Sequence, residues 1–226
     1  MSDIPTTIRT ERLRLTSKGR RVYPPVTFQA DAGSTVAILG AAGTGKTALL
    51  LTLAGRMRHW HGSAHVCGVS AATHGSRIRG LVGMGLVYGV NDLAEALTAR
   101  QHVAEQHVFV PRSKRGATVD VLARVGLDAA ADLQVKCLDA EQRARLGIAL
   151  ALVRDVRVLV VDDVDRDLNH EERLRVLGLL RDLADDGLTV LFGCVDDTTA
   201  AHADQVISLE DECPTPLREV SADAVA

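Results

Sequence analysis

No stretch of this 226-residue chain approaches the roughly 18 consecutive apolar residues that a membrane-crossing helix needs. Any work at a membrane would depend on a partner that holds the chain there. The opening residues, Met1-Ser2-Asp3-Ile4-Pro5, lack the basic and apolar regions of a secretory signal. Cysteine pairing is missing as well: Cys67, Cys137, Cys194 and Cys213 are scattered and form no C-x-x-C motif. That distribution suits reduced thiols in a cytosol rather than a disulfide framework. Nor is there an excess of basic charge. Lys and Arg number 26 against 29 Asp and Glu, a net charge of −3, which speaks against non-specific nucleic-acid binding. What is left is a length suited to one large α/β domain over residues 1–226, with room for a small inserted subdomain.

The most informative stretch is Gly40-Ala41-Ala42-Gly43-Thr44-Gly45-Lys46-Thr47, which fits G-x-x-x-x-G-K-[ST]. Before it, Ser34 to Leu39 is a short apolar run rich in β-formers and bounded by Gly33 and Gly40, the pattern of a buried strand. After it, Ala48 to Ala54 are mostly good helix formers ended by Gly55. Strand, glycine loop and helix is the context in which this motif cradles phosphate. The glycines let successive N–H groups turn inward, and the helix start adds a positive dipole end. Lys46 offers a point charge for the β- and γ-phosphates of a nucleotide, and the Thr47 hydroxyl can ligate Mg²⁺.

Elsewhere, Ile8 to Phe28 alternates apolar and polar residues on both sides of Ser17-Lys18-Gly19 and reads as antiparallel strands. Gly62 to Val69 reads as a further edge hairpin. From Asp92 to about Asp132 the pattern is helical, through Leu93–Leu97, Val103–Gln106 and Val119–Val125, with the basic loop Pro111–Gly116 between. This helical insertion is expected over about 90–150. Arg157 to Val161 is an apolar strand ending in Asp162-Asp163, and Leu188–Phe192 and Gln205–Leu209 read as further core strands around a Glu171–Asp182 helix. Such alternation implies a mainly parallel sheet with ligands at the strands' C-terminal ends. Residues 211–226 read as a loose tail.

A strand ending in carboxylates is what a phosphate loop needs opposite its lysine. One acid holds Mg²⁺, and the next orients or deprotonates the attacking water. Asp162 is assigned to the metal and Asp163 to the water. The plain alternative is that two acids cap a strand end.

With these segments in order, the chain resembles the nucleotide-binding domain of the ABC ATPases, a P-loop NTPase family, from about Ile8 to Glu210. Leu97-Thr98-Ala99-Arg100-Gln101-His102-Val103 is similar to the family's L-T-V-R-E-N-L. Leu138-Asp139-Ala140-Glu141-Gln142-Arg143-Ala144-Arg145-Leu146 stands where its signature L-S-G-G-Q-R-x-R-L belongs, and Gln142 lies twenty positions before Asp162 (162 − 142). Arg166-Asp167-Leu168-Asn169 stands in for the family's S-G-L-D. The resemblance implies a mainly parallel core, an antiparallel β edge subdomain and a helical insertion. It also implies ATP and Mg²⁺ as cofactors, a second cassette and a membrane permease as partners, and a cytoplasmic place on the inner face of the cell membrane.

The departures fall on catalytic groups. Asp139, Ala140 and Glu141 replace the serine and two glycines that, in the family, bind the γ-phosphate held by the partner cassette. A carboxylate about 4 Å from that phosphate would repel it by roughly 4 kcal/mol at an effective dielectric near 20. Asp139 with Gln142 also fits a capping box, which explains both residues structurally. Asp163 is one methylene shorter than the family's glutamate. Val195 falls at the H-loop histidine, and no glutamine lies near Tyr88-Gly89, where the Q-loop belongs. The adenine-stacking aromatic should lie near Thr16-Ser17, whereas Tyr23 fits the core hairpin.

Nucleotide binding is therefore expected, with slow turnover, in a cassette serving a separately encoded membrane transporter. The alternatives are a catalytically impaired scaffold or a soluble ABC-type protein of DNA repair or ribosomes. The acidic charge and the lack of a coiled-coil insert or second cassette speak against the last. His59, His61, His65 and Cys67 fit no standard zinc spacing and read as a loop entering a hairpin. Arg143 and Arg145 read as a solvated helix face rather than phosphate ligands, Arg112–Arg115 as a solvated turn, and Trp60 as cover for the sheet edge.

Overall fold

A computed structural model of the chain describes residues 5–58, 60–109 and 121–209. The expected loop at Pro111–Gly116, the tail and His59 lie outside the described residues. Among those described, the alternating segments form two sheets. Strands β1 (Thr6–Ser17), β2 (Arg20–Asp31), β4 (Trp60–Val66) and β5 (Val69–Ser70) make an antiparallel sheet in the order β2-β1-β4-β5. Its hairpins close through Lys18-Gly19 (φ 49° and 75°) and Cys67-Gly68 (φ 50° and 73°). Two successive left-handed residues match the right-handed twist of the flanking strands, which is why a glycine stands second in each pair.

Strands β3 (Thr35–Leu39), β6 (Val82–Met84), β7 (Val158–Val161), β8 (Thr189–Cys194) and β9 (Gln205–Ser208) form a parallel sheet in the order β6-β7-β8-β3-β9. Its central strands are buried along almost all of their length and mostly apolar because both faces are covered. Val36, Ile38, Val160 and Leu191 face a core shared with helix α1 (Lys46–Leu53) and the antiparallel sheet. Ala37, Leu159, Val161, Val190 and Phe192 face the opposite core, built with α5 (Ala140–Leu152) and α6 (His170–Asp185). An eight-residue helix such as α1 is too short to persist alone. Burial of Leu49, Leu50 and Leu53, worth about 1.5–3 kcal/mol each, holds it between the sheets.

Shorter helices complete the fold: α2 (Gly75–Leu81), α3 (Ala99–Gln106), α4 (Val121–Arg124) and α7 (Asp197–Ala200). The segment Leu93–Leu97, expected to be helical, is not. Its backbone bonds run across to residues 134–136 instead, with Val135 N donating to Leu97 O at 2.9 Å and Lys136 N to Glu95 O at 3.2 Å. The helix starts only where Thr98 accepts from Gln101 N and Gln101 reciprocates, a capping box. Trp60 sits on β4 opposite Leu15, partly buried against the sheet core.

Gly147 shows how tightly the helical layer is seated. A Cβ there would lie 2.5 Å from Leu86 Cγ and 3.0 Å from Leu86 N, so α5 meets the segment after β6 backbone to backbone. Helix propensity alone favours Ala over Gly by about 1 kcal/mol. Overpacking should win, and Gly147→Ala is expected to destabilise by about 1–3 kcal/mol in urea titration. A stabilised variant would refute this packing.

Candidate functional site

The glycine loop begins where β3 ends, with Gly40 N donating to Cys194 O at 3.2 Å. At Gly45 φ is 96°, and a Cβ would stand 2.4 Å from Val22 O, so only glycine fits. Ala41, Ala42 and Gly43 form the exposed crest, and Thr44 Oγ1 donates to Ala41 O at 2.9 Å. Lys46 opens α1 and is 5% exposed. Its Nζ donates to Gly40 O at 2.7 Å and Ala41 O at 3.2 Å, inside the curve of the loop.

The second half of the site comes from the end of β7. Thr47 Oγ1 donates to Asp162 Oδ2 at 2.6 Å, across the end of β8. A glycine makes that reach possible: a Cβ at Gly193 would lie 3.0 Å from Asp162 Oδ1 and 3.5 Å from Leu50 Cδ1. Burial pushes the Asp162 carboxyl upward, the neighbouring Asp163 charge adds to this, and the Thr47 bond opposes it. Asp163 follows at φ 42°, an uncommon left-handed conformation for a residue with a side chain, with Oδ1 3.9 Å from Lys46 Nζ.

This donor set fits a magnesium ion. Asp162 Oδ1 is buried with no hydrogen-bond partner, the Thr47 hydroxyl is beside it, and Mg²⁺ takes few protein oxygens while keeping waters and phosphates. Thr47 and Asp162 would hold the ion, which would supply charge neutralisation at the phosphates. Among the described residues no cluster of three His, Cys, Asp or Glu could hold a metal, and His61, His65 and Cys67 form none.

At the start of α5 the expected capping box is formed. Gln142 N donates to Asp139 Oδ1 at 2.7 Å, and Asp139 N donates to Gln142 Oε1 at 3.1 Å. Glu141 is turned sideways into ion pairs at 2.8 Å with Arg145 of its own helix and Arg175 of α6. Burial pushes its carboxyl up, but the two guanidiniums outweigh this and the net shift is downward. Arg143 and Arg145 are not a solvated face. Arg143 grips Glu95 through two bonds of 2.6 and 2.9 Å, and Arg145 Nη1 also donates to Val125 O at 2.6 Å. Arg145 meets Glu141 at helical i,i+4 spacing, whereas nothing local in the sequence places Glu95 beside Arg143.

Tyr23 is 1% exposed and donates to Thr52 Oγ1 at 3.2 Å, as a core residue. Val195 is exposed, and its N–H donates to Asp165 Oδ2 at 2.6 Å. Sequence reasoning missed two polar organisers. Asn91 ties down the loop after β6, accepting from Val87 N at 2.7 Å and donating to Gly85 O at 2.9 Å. Arg173 joins Asp165, Asp196 and Thr199 within 3.3 Å beside the end of β8. The turn composition Gly89-Val90-Asn91-Asp92 was a usable signal for the first. Nothing local announced the second.

A parallel sheet, a glycine loop opening a helix and acids on a nearby strand define the P-loop NTPase class. The comparisons narrow it. Residues 23–165 match the family model described as ABC transporter. Methionine import ATP-binding protein MetN 1 of Rhodococcus jostii is 34% identical over 191 residues, covering 80% of this chain and 56% of that protein. Lipoprotein-releasing system ATP-binding protein LolD 1 of Caulobacter vibrioides is 29% identical over 199 residues, covering 84% and 85%. The solved structure of cbiO1 from Clostridium perfringens, part of the ABC transporter complex cbiONQ, superposes with a TM-score of 0.79 at 23% identity. It covers 91% of this chain and 85% of its own. The chain belongs to the ABC transporter family. It spans little more than half the length of the methionine-import relative.

Because ionised Asp162 is half-buried and raised in pKa, it costs folding stability above its folded pKa, and the cost disappears as pH falls below the unfolded value. Asp162→Asn should therefore raise the melting temperature without ligand at neutral pH by about a few degrees. It should also weaken the Mg²⁺-dependent part of nucleotide binding at least about tenfold. Calorimetry with and without Mg²⁺ checks this, and equal Mg²⁺ dependence in both proteins would refute the metal role.

Proposed function

We propose that this chain is an ATP-binding cassette subunit that binds Mg-ATP and hydrolyses it slowly to drive or gate a separately encoded membrane transport protein. The observation that carries the reading is the 2.6 Å contact between Thr47 and Asp162, which joins the phosphate loop to the acid-bearing strand. Lys46 lies inside the loop, where the β- and γ-phosphates would replace its carbonyl partners. The backbone N–H groups from Gly43 to Thr47 and the start of α1 would cradle the same oxygens. Asp163 is the candidate to orient the attacking water and take its proton. Among the described residues no helix is long and apolar enough to cross a membrane, which supports a role carried out through a permease. The names of the relatives cover both import and release, so direction and cargo belong to the partner.

Slow turnover is supported at the start of α5. A helix N-terminus that receives a γ-phosphate from a second cassette has its N–H groups free and carries no net negative charge. Here the Asp139 side chain already occupies the Gln142 N–H, and Glu141 is committed to two arginines. Val195 offers no side-chain donor to a phosphate. These features favour a second reading, a nucleotide-dependent scaffold that closes without useful hydrolysis. Single-turnover assays separate the two: product formed by the purified protein and lost in Asp163→Asn supports the enzyme, and no product supports the scaffold.

Lys46→Ala is expected to weaken Mg-ATP binding by at least about tenfold, the loss of roughly one charge-assisted contact, in calorimetry. Unchanged affinity would overturn the proposal. Asp139→Ser keeps a good N-cap, so folding stability should stay within about 0.5 kcal/mol. Removal of the carboxylate should strengthen ATP-dependent association of cassettes in analytical ultracentrifugation. If association is unaltered, the start of α5 does not meet a phosphate.

A further inference from the structure

Asp163 is held between two cations, one on each oxygen. Oδ1 lies 3.9 Å from Lys46 Nζ, and Oδ2 lies 3.8 Å from Arg166 Nη1. These are attractions at a distance rather than hydrogen bonds, so the carboxylate is steered but not clamped. Once a triphosphate engages Lys46, Arg166 is the remaining side-chain cation paired with Asp163. The Arg166 guanidinium lies over an aromatic ring, its Cζ 4.3 Å from the centroid of Tyr88, and its Nε is 3.8 Å from Oδ2 of the exposed Asp167. Stacking of a planar guanidinium on a ring face restricts an otherwise mobile side chain.

Both ends of this contact sit on hydrogen-bonded turns. Tyr88 rides a turn closed by Val90 N donating to Val87 O at 2.9 Å, with Gly89 at φ 72°. The Asn91 side chain locks that turn to Gly85 and Val87. On the other side, Arg166 N donates to Asp163 O at 2.9 Å, closing a turn around the left-handed Asp163. Tyr88 is nonetheless 77% exposed, which a core-packing role does not explain for a large ring. Both residues stand at a cleft of about 580 Å³ that also reaches Asp162, Asp163 and the start of α5 at Ala140, and that no residue of the phosphate loop lines.

We propose that Arg166 is a positioning residue for Asp163, held in place by stacking on Tyr88. The orientation of the candidate general base thereby depends on the turn that carries Tyr88. This deepens the hydrolysis reading above and rests on it. The loop after β6 then acts on the reaction through charge and stacking rather than through a side chain reaching the nucleotide. Displacement of Tyr88 by whatever packs on this turn would free Arg166 and let the Asp163 carboxylate drift. A catalytic group misplaced by about 1 Å can lose up to roughly 10²-fold in rate, and an exposed stacked ion pair controls a smaller part of that.

The test compares wild type with Tyr88→Ala, Tyr88→Phe, Arg166→Ala, Arg166→Lys and the double alanine variant. Single-turnover hydrolysis and Mg-ATP affinity are measured on the same preparations. Arg166→Ala should lower the hydrolysis rate about three- to tenfold, with affinity unchanged within about twofold. Tyr88→Ala should reproduce that loss, Tyr88→Phe should keep the wild-type rate, and Arg166→Lys should fall between. The double variant should be no slower than Arg166→Ala, because the two residues act in series. A second readout needs no turnover: the Arg166 Nε–H proton resonance should be shifted by the Tyr88 ring current, and the shift should vanish in Tyr88→Ala but survive in Tyr88→Phe. Rates within twofold of wild type, losses that multiply in the double variant, or an Nε–H resonance insensitive to Tyr88 would overturn the proposal. A wild-type protein that binds Mg-ATP and forms no product would instead remove the hydrolysis reading on which it rests.

Discussion

Asp162 is expensive to keep where it stands. Its carboxylate is partly taken out of water, one buried oxygen has no partner, and a second acid follows it directly. A hydroxyl from Thr47 compensates most within the chain, with smaller help from the Asp163 backbone N–H and the Lys46 charge. Local structure is arranged around that single bond. Gly193 carries no side chain, so that nothing on β8 intervenes between α1 and β7. Gly45 takes a left-handed turn no other residue fits, and α1 is pinned between two sheets by three leucines. A fold that sought stability alone would place an apolar or neutral residue at this position. The retained charge, with one carboxylate oxygen bonded to a phosphate-loop hydroxyl and the other unpartnered, is what supports the proposed magnesium and phosphate site.

The start of α5 has the opposite character. The charged side chains there already have partners within the chain: Asp139 with Gln142, Glu141 with Arg145 and Arg175, Arg143 with Glu95. Satisfied groups of this kind stabilise the helical layer and its seat on α6. They leave little electrostatic incentive for an external phosphate. One half of the molecule thus keeps an open demand for ligand while the other has met its demands internally. That asymmetry underlies the proposed combination of nucleotide binding with slow chemistry. It also puts weight on Asp163, whose orientation depends on neighbours, Lys46 and Arg166, rather than on a rigid hydrogen bond.

Much of the architecture was legible before any coordinates. The hairpin β1-β2 follows from alternation around Lys18-Gly19, and β3, the glycine loop and α1 follow from an apolar run, three glycines and a helical run in succession. The capping box at Asp139 was readable because its two partners are three residues apart. Leu93–Leu97 was misread as helix for an instructive reason. Its composition suits a helix, but its carbonyls are taken by residues 134–136, some forty positions later in the chain, and the cap at Thr98 delays the helix. Arg143 and Arg145 were misread as solvated for the same reason, since a sequence window contains neither Glu95 nor the carbonyl of Val125.

The sequence alone determined the class of site, because phosphate cradling is a local affair: glycines, a lysine and a hydroxyl must lie within eight consecutive residues, and they do. It determined which sheet is parallel and which antiparallel but not the strand order, and the ligands only by type. Tertiary structure decided which charges face one another. Thr47 meets Asp162 over a separation of 115 residues, Arg175 meets Glu141 over 34, and Arg166 meets Tyr88 from a different strand end. Charge interactions act through space and fall off with distance, so their partners are set by how the sheet and helices close, not by neighbours along the chain.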